Sequence, residues 1–595
     1  MKNKYSLYSL LFCYVFIMVS AIFISPKWEK QRTEATLSWD VSGYYMYLPA
    51  IFIYKDIKQC RFLDSILVTY YPTPNKQQVF LHPASGNYVM KYASGQALMM
   101  LPFFTMAHCY AKLSGTYPAD GFSYPYQKAI GLGMLFFSLL GLWMLRKILL
   151  PFFRDTSVAL LLLIYVLGTN YINYAAIDQA MTHNVLFAIY TLIIYFTLRF
   201  HHKPSLAYAT WLGLCLGLAI LIRPTEIVAV LIPLLWDMKS LTDIKHRWSF
   251  IYQHYHYILW TGILTALVFS IQLIYWKYTT QEWLVYSYQD HGFSWFSPHV
   301  KNYLFSYECG WLRYTPMMLL PLCGLPLFAR YGKQAIALVA TILISAYVVM
   351  AWDVWDYGGT AGRAMIQYYP LLAFPFCRLL DTMQRSHWLK ISIGSLLVFF
   401  TYLHLWWFYH AHTGHIQVSG INKAYYWKVI GRWQGNDDDK KLLDNTHHYE
   451  GIPKQAVLLY ANDFSHDSSA NATLEKGSRK IRLHRDLQHT SRYSIARNDA
   501  FKKWIRVQAD FYAEHKEWDV WKQAQFIVQF TQQSQSVQTN MIRIYRFLND
   551  FERKPLYLDA LCPTSRWDSV HIVFWNALGD RELFIDNLEL ISFDE

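Results

Sequence analysis

Over roughly the first 410 of 595 residues, long apolar runs alternate with short polar segments; after that the pattern changes. Leu7–Ile24, Ala129–Leu150, Val158–Tyr174, Val185–Phe200 and Ile391–Tyr409 are runs of bilayer length or close to it. A hydrocarbon core about 30 Å thick takes about 20 apolar residues of helix. Inside it, only a helix or a closed barrel satisfies its own backbone polar groups. The runs therefore predict a bundle of transmembrane helices. The spans are Leu7–Ile24 and about 126–149, 155–174, 182–200, 206–222, 225–237, 256–276, 314–329, 333–352, 366–380 and 389–409, eleven in all. Segments 206–222 and 225–237 are short and are joined only by Arg223-Pro224.

After about His410 the period changes to two. Trp504–Phe511, Gln525–Phe530, Met541–Phe547, His571–Trp575 and Leu583–Ile591 alternate apolar and polar residues. Such runs are strands with one buried face, and their regular repetition predicts a β-sandwich. Residues 450–595 are read as an all-β, jelly-roll-like domain outside the membrane, and 411–449 as a polar linker containing Asp437-Asp438-Asp439.

Composition narrows the class. The chain is 54% hydrophobic and only 16% charged, against about 25% charged in soluble domains. A cytoplasmic enzyme and a disordered scaffold are both excluded. The net charge of +13 divides unevenly. Residues 431–595 carry 22 Lys/Arg and 24 Asp/Glu, a net of −2, which leaves +15 for residues 1–430. The excess thus lies in the apolar part, as in membrane proteins with basic cytoplasmic loops, and not in a nucleic-acid-binding patch. Eleven spans with a cytoplasmic N-terminus put every basic loop inside: Arg146-Lys147 with Arg154, Arg199 with Lys203, Lys239–Arg247, Arg330 with Lys333, and Arg378–Lys390. Counting Gln96–Leu113 as a twelfth span would turn the later loops outward, so that segment is laid in the outer interface. The large outer loops are then 25–127 and 277–313. The eight cysteines are single and show no zinc spacing; Cys60 and Cys309, in outer loops, are the one candidate pair.

The few charged and polar residues on the outer side carry the candidate chemistry. Asp40, in Ser38-Trp39-Asp40-Val41-Ser42-Gly43-Tyr44-Tyr45, is a lone acid just past the first span. A carboxylate there suits a general base or a metal ligand, and a helix cap is the plainer reading. Asp178 and His183 sit between the third and fourth spans. Arg223 is an outward cation between two short helices, where a lipid phosphate is a natural partner; Glu226 or Asp40 would serve as well. Arg313 lies at another outer helix start, after a loop rich in aromatic residues. The string Trp352-Asp353-Val354-Trp355-Asp356-Tyr357-Gly358-Gly359-Thr360-Ala361-Gly362-Arg363 places three glycines beside an arginine. No GK[ST] follows, so it is not a P-loop.

Taken in order, these pieces resemble the membrane-embedded GT-C glycosyltransferases, with protein O-mannosyltransferases and bacterial lipid A aminoarabinose transferases as the nearest types. The resemblance spans about residues 1–410 and is one of pattern and topology. It implies an integral-membrane hexosyl- or pentosyltransferase of a bacterial inner membrane. Such an enzyme moves sugar from a polyprenyl-phosphate-linked donor to a glycan, lipid or protein acceptor on the extracytoplasmic face, with the C-terminal domain periplasmic. Asp40, Asp178 and His183 would then be catalytic, Arg223, Arg313 and Arg363 would hold the donor phosphate, and Tyr44, Tyr45, Trp352, Asp353 and Asp356 would line the substrate site. If a divalent metal takes part, Asp40 is its ligand; Val41 stands where mannosyltransferases carry a second acid. The β-sandwich would bind carbohydrate. A flippase or transporter of lipid-linked saccharides, or a membrane-anchored carbohydrate-binding protein, are the alternatives. No nucleic-acid partner is expected.

Overall fold

The computed structural model describes the chain apart from residues 1–2, 357–361, 418–419, 466–471, 476–477, 518–521, 578 and 580, and describes only the backbone of 241, 331, 472–475, 478 and 479. The chain divides into two compact units, Met1–Gly414 and His415–Glu595.

Each of the eleven apolar segments carries helix. Among the described residues five helices are long and apolar enough to cross a membrane: Lys4–Glu29, Tyr124–Leu149, Thr182–His202, Tyr255–Thr280 and His387–His412. Shorter apolar helices occupy Asp155–Leu167, Leu206–Ile222, Pro224–Leu235, Pro316–Arg330 and Ala335–Ala351. At the remaining segment, Arg363–Tyr368 leads into Tyr369–Met383. Local chemistry sets the short lengths. Proline pushes the residue before it out of the helical region, and Arg223, before Pro224, is extended with φ −143° and ψ 115°. The expected interfacial segment is a helix, Gly95–Ser114, with Pro102 inside it.

Two features position loops of this unit. The first is a tight helix pair. Gly213 and Gly217 on Leu206–Ile222 leave no room for a Cβ against Thr261, Thr265 and Val268 of Tyr255–Thr280. Small residues at this spacing let helix backbones approach closely in a membrane. The Thr261 and Thr265 hydroxyls donate to the Ala209 and Gly213 carbonyls at 3.1 and 3.2 Å, which fixes the helix that ends at Arg223. The second is a hairpin in the first loop, β1 (Val79–His82) and β2 (Asn87–Met90). The Met90 N–H donates to the Tyr275 hydroxyl at 2.9 Å, and Asn87 donates to the Thr279 carbonyl at 2.8 Å. Both tie the loop to the end of Tyr255–Thr280.

The second unit is a two-sheet β-sandwich. Its strands are β3 (Lys454–Asn462), β4 (Ala472–Glu475), β5 (Ser478–Leu483), β6 (Tyr493–Ala496), β7 (Trp504–Ala513), β8 (Gln525–Gln532), β9 (Gln535–Arg543), β10 (Glu552–Leu561), β11 (Ser569–Trp575) and β12 (Leu583–Asp594). One sheet runs β10-β7-β12-β5-β4 with β3 also on β12; the other runs β6-β11-β8-β9. All the pairings are antiparallel. Alternation decides which side chains are inside: Ile505, Val507, Ala509 and Phe511 of β7 face Phe526 and Phe574 of the other sheet, with ring centroids 5.6 Å apart. One expected strand is corrected. Met541–Phe547 leaves the sheet after Arg543 and turns as a short 3-10 helix, Ile544–Arg546, where the adjacent Ile544 and Tyr545 are both buried and the alternation breaks.

Residues 415–449 are not a linker but part of the second unit. Asn422 caps the helix Lys423–Val429 and Asn436 caps Asp437–Leu443. Asp444 takes the Arg546 guanidinium at 2.8 and 3.1 Å, and Asp438 accepts from the Tyr557 hydroxyl at 3.0 Å. The Asp and Asn residues that read as linker chemistry are caps and ion-pair partners. Cys60 and Cys309 are both free, so the candidate pairing is not made.

Candidate functional site

Asp40 lies in the first turn of a short helix, Trp39–Tyr45. Trp39 opens that helix at φ 47°, a left-handed conformation unusual for a bulky residue. Its N–H donates to the Pro72 carbonyl at 3.0 Å, which holds the turn. One turn on, Gly43 has no room for a Cβ, because the Tyr92 ring and Gln78 lie against the helix. The ring stacks at a tilt on Tyr44, centroids 4.4 Å apart, and its hydroxyl donates to Asp40 Oδ1 at 2.8 Å.

The other Asp40 oxygen belongs to Arg363, whose Nη2 donates to Oδ2 at 2.8 Å. The side chains are 24% and 16% exposed, so the pair is partly shielded yet still reachable. Gly362 sets up the arginine. It sits at φ 71°, and a Cβ there would run into the Trp311 side chain. Gly358 and Gly359 of the same string lie outside the described residues. Burial would push the Asp40 carboxyl up. Arg363, then the Tyr92 hydroxyl, Lys91 and Arg223, outweigh it and hold Asp40 below the usual carboxylate range.

Arg223 ends the helix Leu206–Ile222 and lies beside Tyr44, Tyr288 and Glu226. Glu226 is buried and receives three donors: the Tyr190 hydroxyl at 2.6 Å, the Gln367 amide at 2.9 Å and the Tyr368 hydroxyl at 3.1 Å. The Gln367 carbonyl oxygen meets His183 Nδ1 at 2.8 Å. The first loop, the Arg-Pro break, the start of Thr182–His202 and the segment after the late glycines thus converge.

Several expected site residues lie elsewhere. Asp178 pairs with Lys27 and accepts from Asn173 at 3.0 Å; Asn173 in turn meets His412 at 2.6 Å. Burial pushes the Asp178 carboxyl up, but Lys27, His412 and Asn173 hold it low. Although only five residues separate Asp178 from His183, the chain turn at the helix start sends them into different networks. Arg313 is committed to its own loop, donating to the Phe305 and Ser306 carbonyls at 2.8 and 3.1 Å and lying 3.7 Å over the Tyr307 ring. Tyr45 is fully buried among Phe104 and Phe122 and donates to the Gly121 carbonyl at 2.6 Å, as a core residue does. Asp353 is a turn lock, accepting from the Ser294 hydroxyl and from the Gly292 N–H at 3.0 Å. Asp356 is exposed and faces Glu308, whose carboxyl is pushed up by burial and then by Asp356. Trp352 joins the site through rings: it packs on Tyr288 at 5.1 Å, and Tyr288 on Tyr92 at 6.0 Å. Tyr44 stays at the site, against Tyr92.

The sequence reading missed Tyr92, Gln367 and the extent of the Glu226 network, whereas Tyr288 belongs to the aromatic loop it names before Arg313. Glu226 carried a signal, being an acid inside an apolar segment. Tyr92 carried none. Both Asp40 oxygens already accept donors, and among the described residues no group of three or more His, Cys, Asp or Glu could hold an ion.

No protein-family model matches the chain, and neither does any curated protein sequence. Among solved structures, the oligosaccharyltransferase from Archaeoglobus fulgidus in the apo form matches at TM-score 0.41 and 10% identity, over 76% of this chain and 62% of that one. The arabinosyltransferase EmbB from Mycobacterium smegmatis matches at TM-score 0.28 and 11% identity, over 98% and 67%. A family 16 carbohydrate-binding module matches at TM-score 0.15 and 11% identity, over 21% and 87%. The chain spans about three-fifths of the oligosaccharyltransferase, matching 62% of its length. None of the scores reaches 0.5, and the likeness by itself assigns neither family nor activity.

Proposed function

We propose that the chain is a polytopic membrane glycosyltransferase that takes its sugar from a polyprenyl-phosphate-linked donor. The Asp40–Arg363 contact, with Arg223 beside it, is the observation that carries this reading. It joins a carboxylate able to take a proton to guanidinium groups able to bind phosphate. The acceptor hydroxyl attacks the anomeric carbon, the bond from that carbon to the phosphate oxygen breaks, and polyprenyl phosphate leaves. Asp40 takes the hydroxyl proton. Arg223 and Arg363 stabilise the charge that develops on the departing phosphate. With one carboxylate at the reacting face, the transfer is a single displacement with inversion.

Topology supports the same reading. Eleven crossings, with the shorter helices tilted or locally thinning the bilayer, put the basic loops in the cytoplasm and Asp40, Arg223 and Arg363 on the opposite face. The acceptor is a glycan, lipid or protein hydroxyl, and the β-sandwich is a carbohydrate-binding module on that outer side.

The test is transfer by the purified full-length protein, using a panel of labelled polyprenyl-phosphate sugars with glycan, lipid and peptide acceptors. The wild type transfers label, and Asp40→Asn loses roughly 10²- to 10⁴-fold. Absence of both donor binding and transfer across the panel overturns the proposal.

A further inference from the structure

Glu226, Gln367 and His183 form a chain of hydrogen bonds whose far end is an unsatisfied atom. The Glu226 carboxylate receives the Gln367 amide N–H at 2.9 Å, which fixes which way that amide points. Its oxygen must then face His183, and it meets Nδ1 at 2.8 Å. A carbonyl only accepts, so Nδ1 carries the hydrogen. In the neutral ring, Nε2 is left as a bare acceptor. The His183 side chain is wholly buried, and Nε2 has no hydrogen-bond partner among the described residues. Arg223 and Arg363 are the charges that act on the ring. Tyr174 packs edge-on to the ring with centroids 5.3 Å apart, which limits its swing.

Buried polar atoms are seldom left unpaired, and an orphan costs more than an ordinary hydrogen bond returns. This one is an acceptor, so it does not bind phosphate or carboxylate; it calls for an O–H or N–H donor. Arginine supplies phosphate binding in the same neighbourhood. We infer that His183 Nε2 receives a hydroxyl of the donor sugar while Arg223 and Arg363 hold the phosphate. Glu226 and Gln367 are positioning residues that fix the ring's tautomer. The inference rests on the donor class proposed above. It adds the atom that distinguishes a sugar-bearing lipid phosphate from the bare lipid phosphate.

The experiment measures binding of two ligands by the full-length protein in nanodiscs: a polyprenyl-phosphate hexose and the same polyprenyl phosphate without sugar. Melting of each variant serves as the folding control. His183→Phe is expected to weaken the sugar-bearing ligand roughly 10- to 100-fold, the loss of one buried hydrogen bond, and to leave the bare phosphate within twofold. Gln367→Leu keeps the imidazole but frees its tautomer; it should show the same selectivity with a smaller loss. Arg363→Ala should weaken both ligands alike. Equal loss of both ligands in His183→Phe, or no loss of either, overturns the assignment of Nε2 while leaving the proposed function standing. Failure of the wild type to bind either ligand overturns the proposed function itself, and the inference with it.

Discussion

Arg363 donates to Asp40 at 2.8 Å across 323 residues of chain, and Tyr92 holds the other carboxylate oxygen. A carboxylate with both oxygens engaged is fixed in place but is a poor base. On the proposed mechanism a donor phosphate would compete for Arg363 and so release Asp40 to take the acceptor proton. Asp40→Asn should therefore keep donor affinity within a few-fold while transfer falls roughly 10²- to 10⁴-fold. Equal loss of binding and transfer would make Asp40 a binding residue instead.

The pH profile follows from the same contacts. Burial alone would raise the Asp40 carboxyl, and Arg363 and then Tyr92 bring it below the usual range. The acid limb of kcat/KM in the wild type thus lies at low pH. Tyr92→Phe removes one hydrogen bond to the charged form and keeps Arg363. Its acid limb should move to higher pH, with activity above the limb reduced no more than about tenfold. A limb that stays in place would show that Asp40 is not the group being titrated.

Asp178 should behave differently. Lys27, His412 and Asn173 hold its carboxyl low against burial, so it stabilises the fold at pH above the unfolded carboxylate value. That contribution is lost as pH falls through the lower, folded value. Asp178→Asn should lower the melting temperature at pH 7 and flatten its fall between pH 5 and 3, while transfer stays within tenfold of wild type. Loss of transfer as large as in Asp40→Asn would return Asp178 to the catalytic set.

Gly362→Ala probes the support beneath the arginine. The position has φ 71°, and a Cβ would collide with Trp311. The cost should be about 1–3 kcal/mol of local strain, read as weaker donor binding with the second unit's melting unchanged. Arg313→Ala, by contrast, releases the loop at Phe305 and Ser306 and should leave donor affinity within twofold.

In the second unit, Asp559 is wholly buried, takes Arg506 at 2.7 and 3.1 Å and accepts the Tyr449 N–H at 3.2 Å. Asp559→Ala leaves that guanidinium without its partner and should destabilise the unit by about 3 kcal/mol or more. Urea unfolding of the full-length protein, followed by Trp504 and Trp567 fluorescence, reads the change; a variant as stable as wild type would contradict a structural role for the pair.

Periodicity read the fold well because burial imposes it. Apolar runs gave the helices, and alternation gave β7, β8 and β11. It failed where side chains do local work. Ile542 and Ile544 keep the two-residue spacing of a strand although the chain leaves the sheet after Arg543, and Asp438 and Asp444 looked like linker residues while holding Tyr557 and Arg546. At the site, Asp40, Arg223 and Arg363 stood out because a charge is rare in an apolar bundle. Tyr92 and Gln367 did not, because a tyrosine or glutamine in a loop is commonplace until the fold shows what it touches. Asp178 is the opposite case: it meets Lys27 and Asn173, because closeness to His183 in sequence says little where a helix start turns the chain.

The reach of the Asp40–Arg363 contact also sets a clock. At ribosomal speeds of about 5–20 residues per second, Asp40 emerges roughly 15–65 s before Arg363 does. Until Arg363 is made, the Asp40 carboxylate lacks the guanidinium that balances it. On the proposed function, catalytic competence would therefore arrive late in biogenesis, once both residues are made and placed.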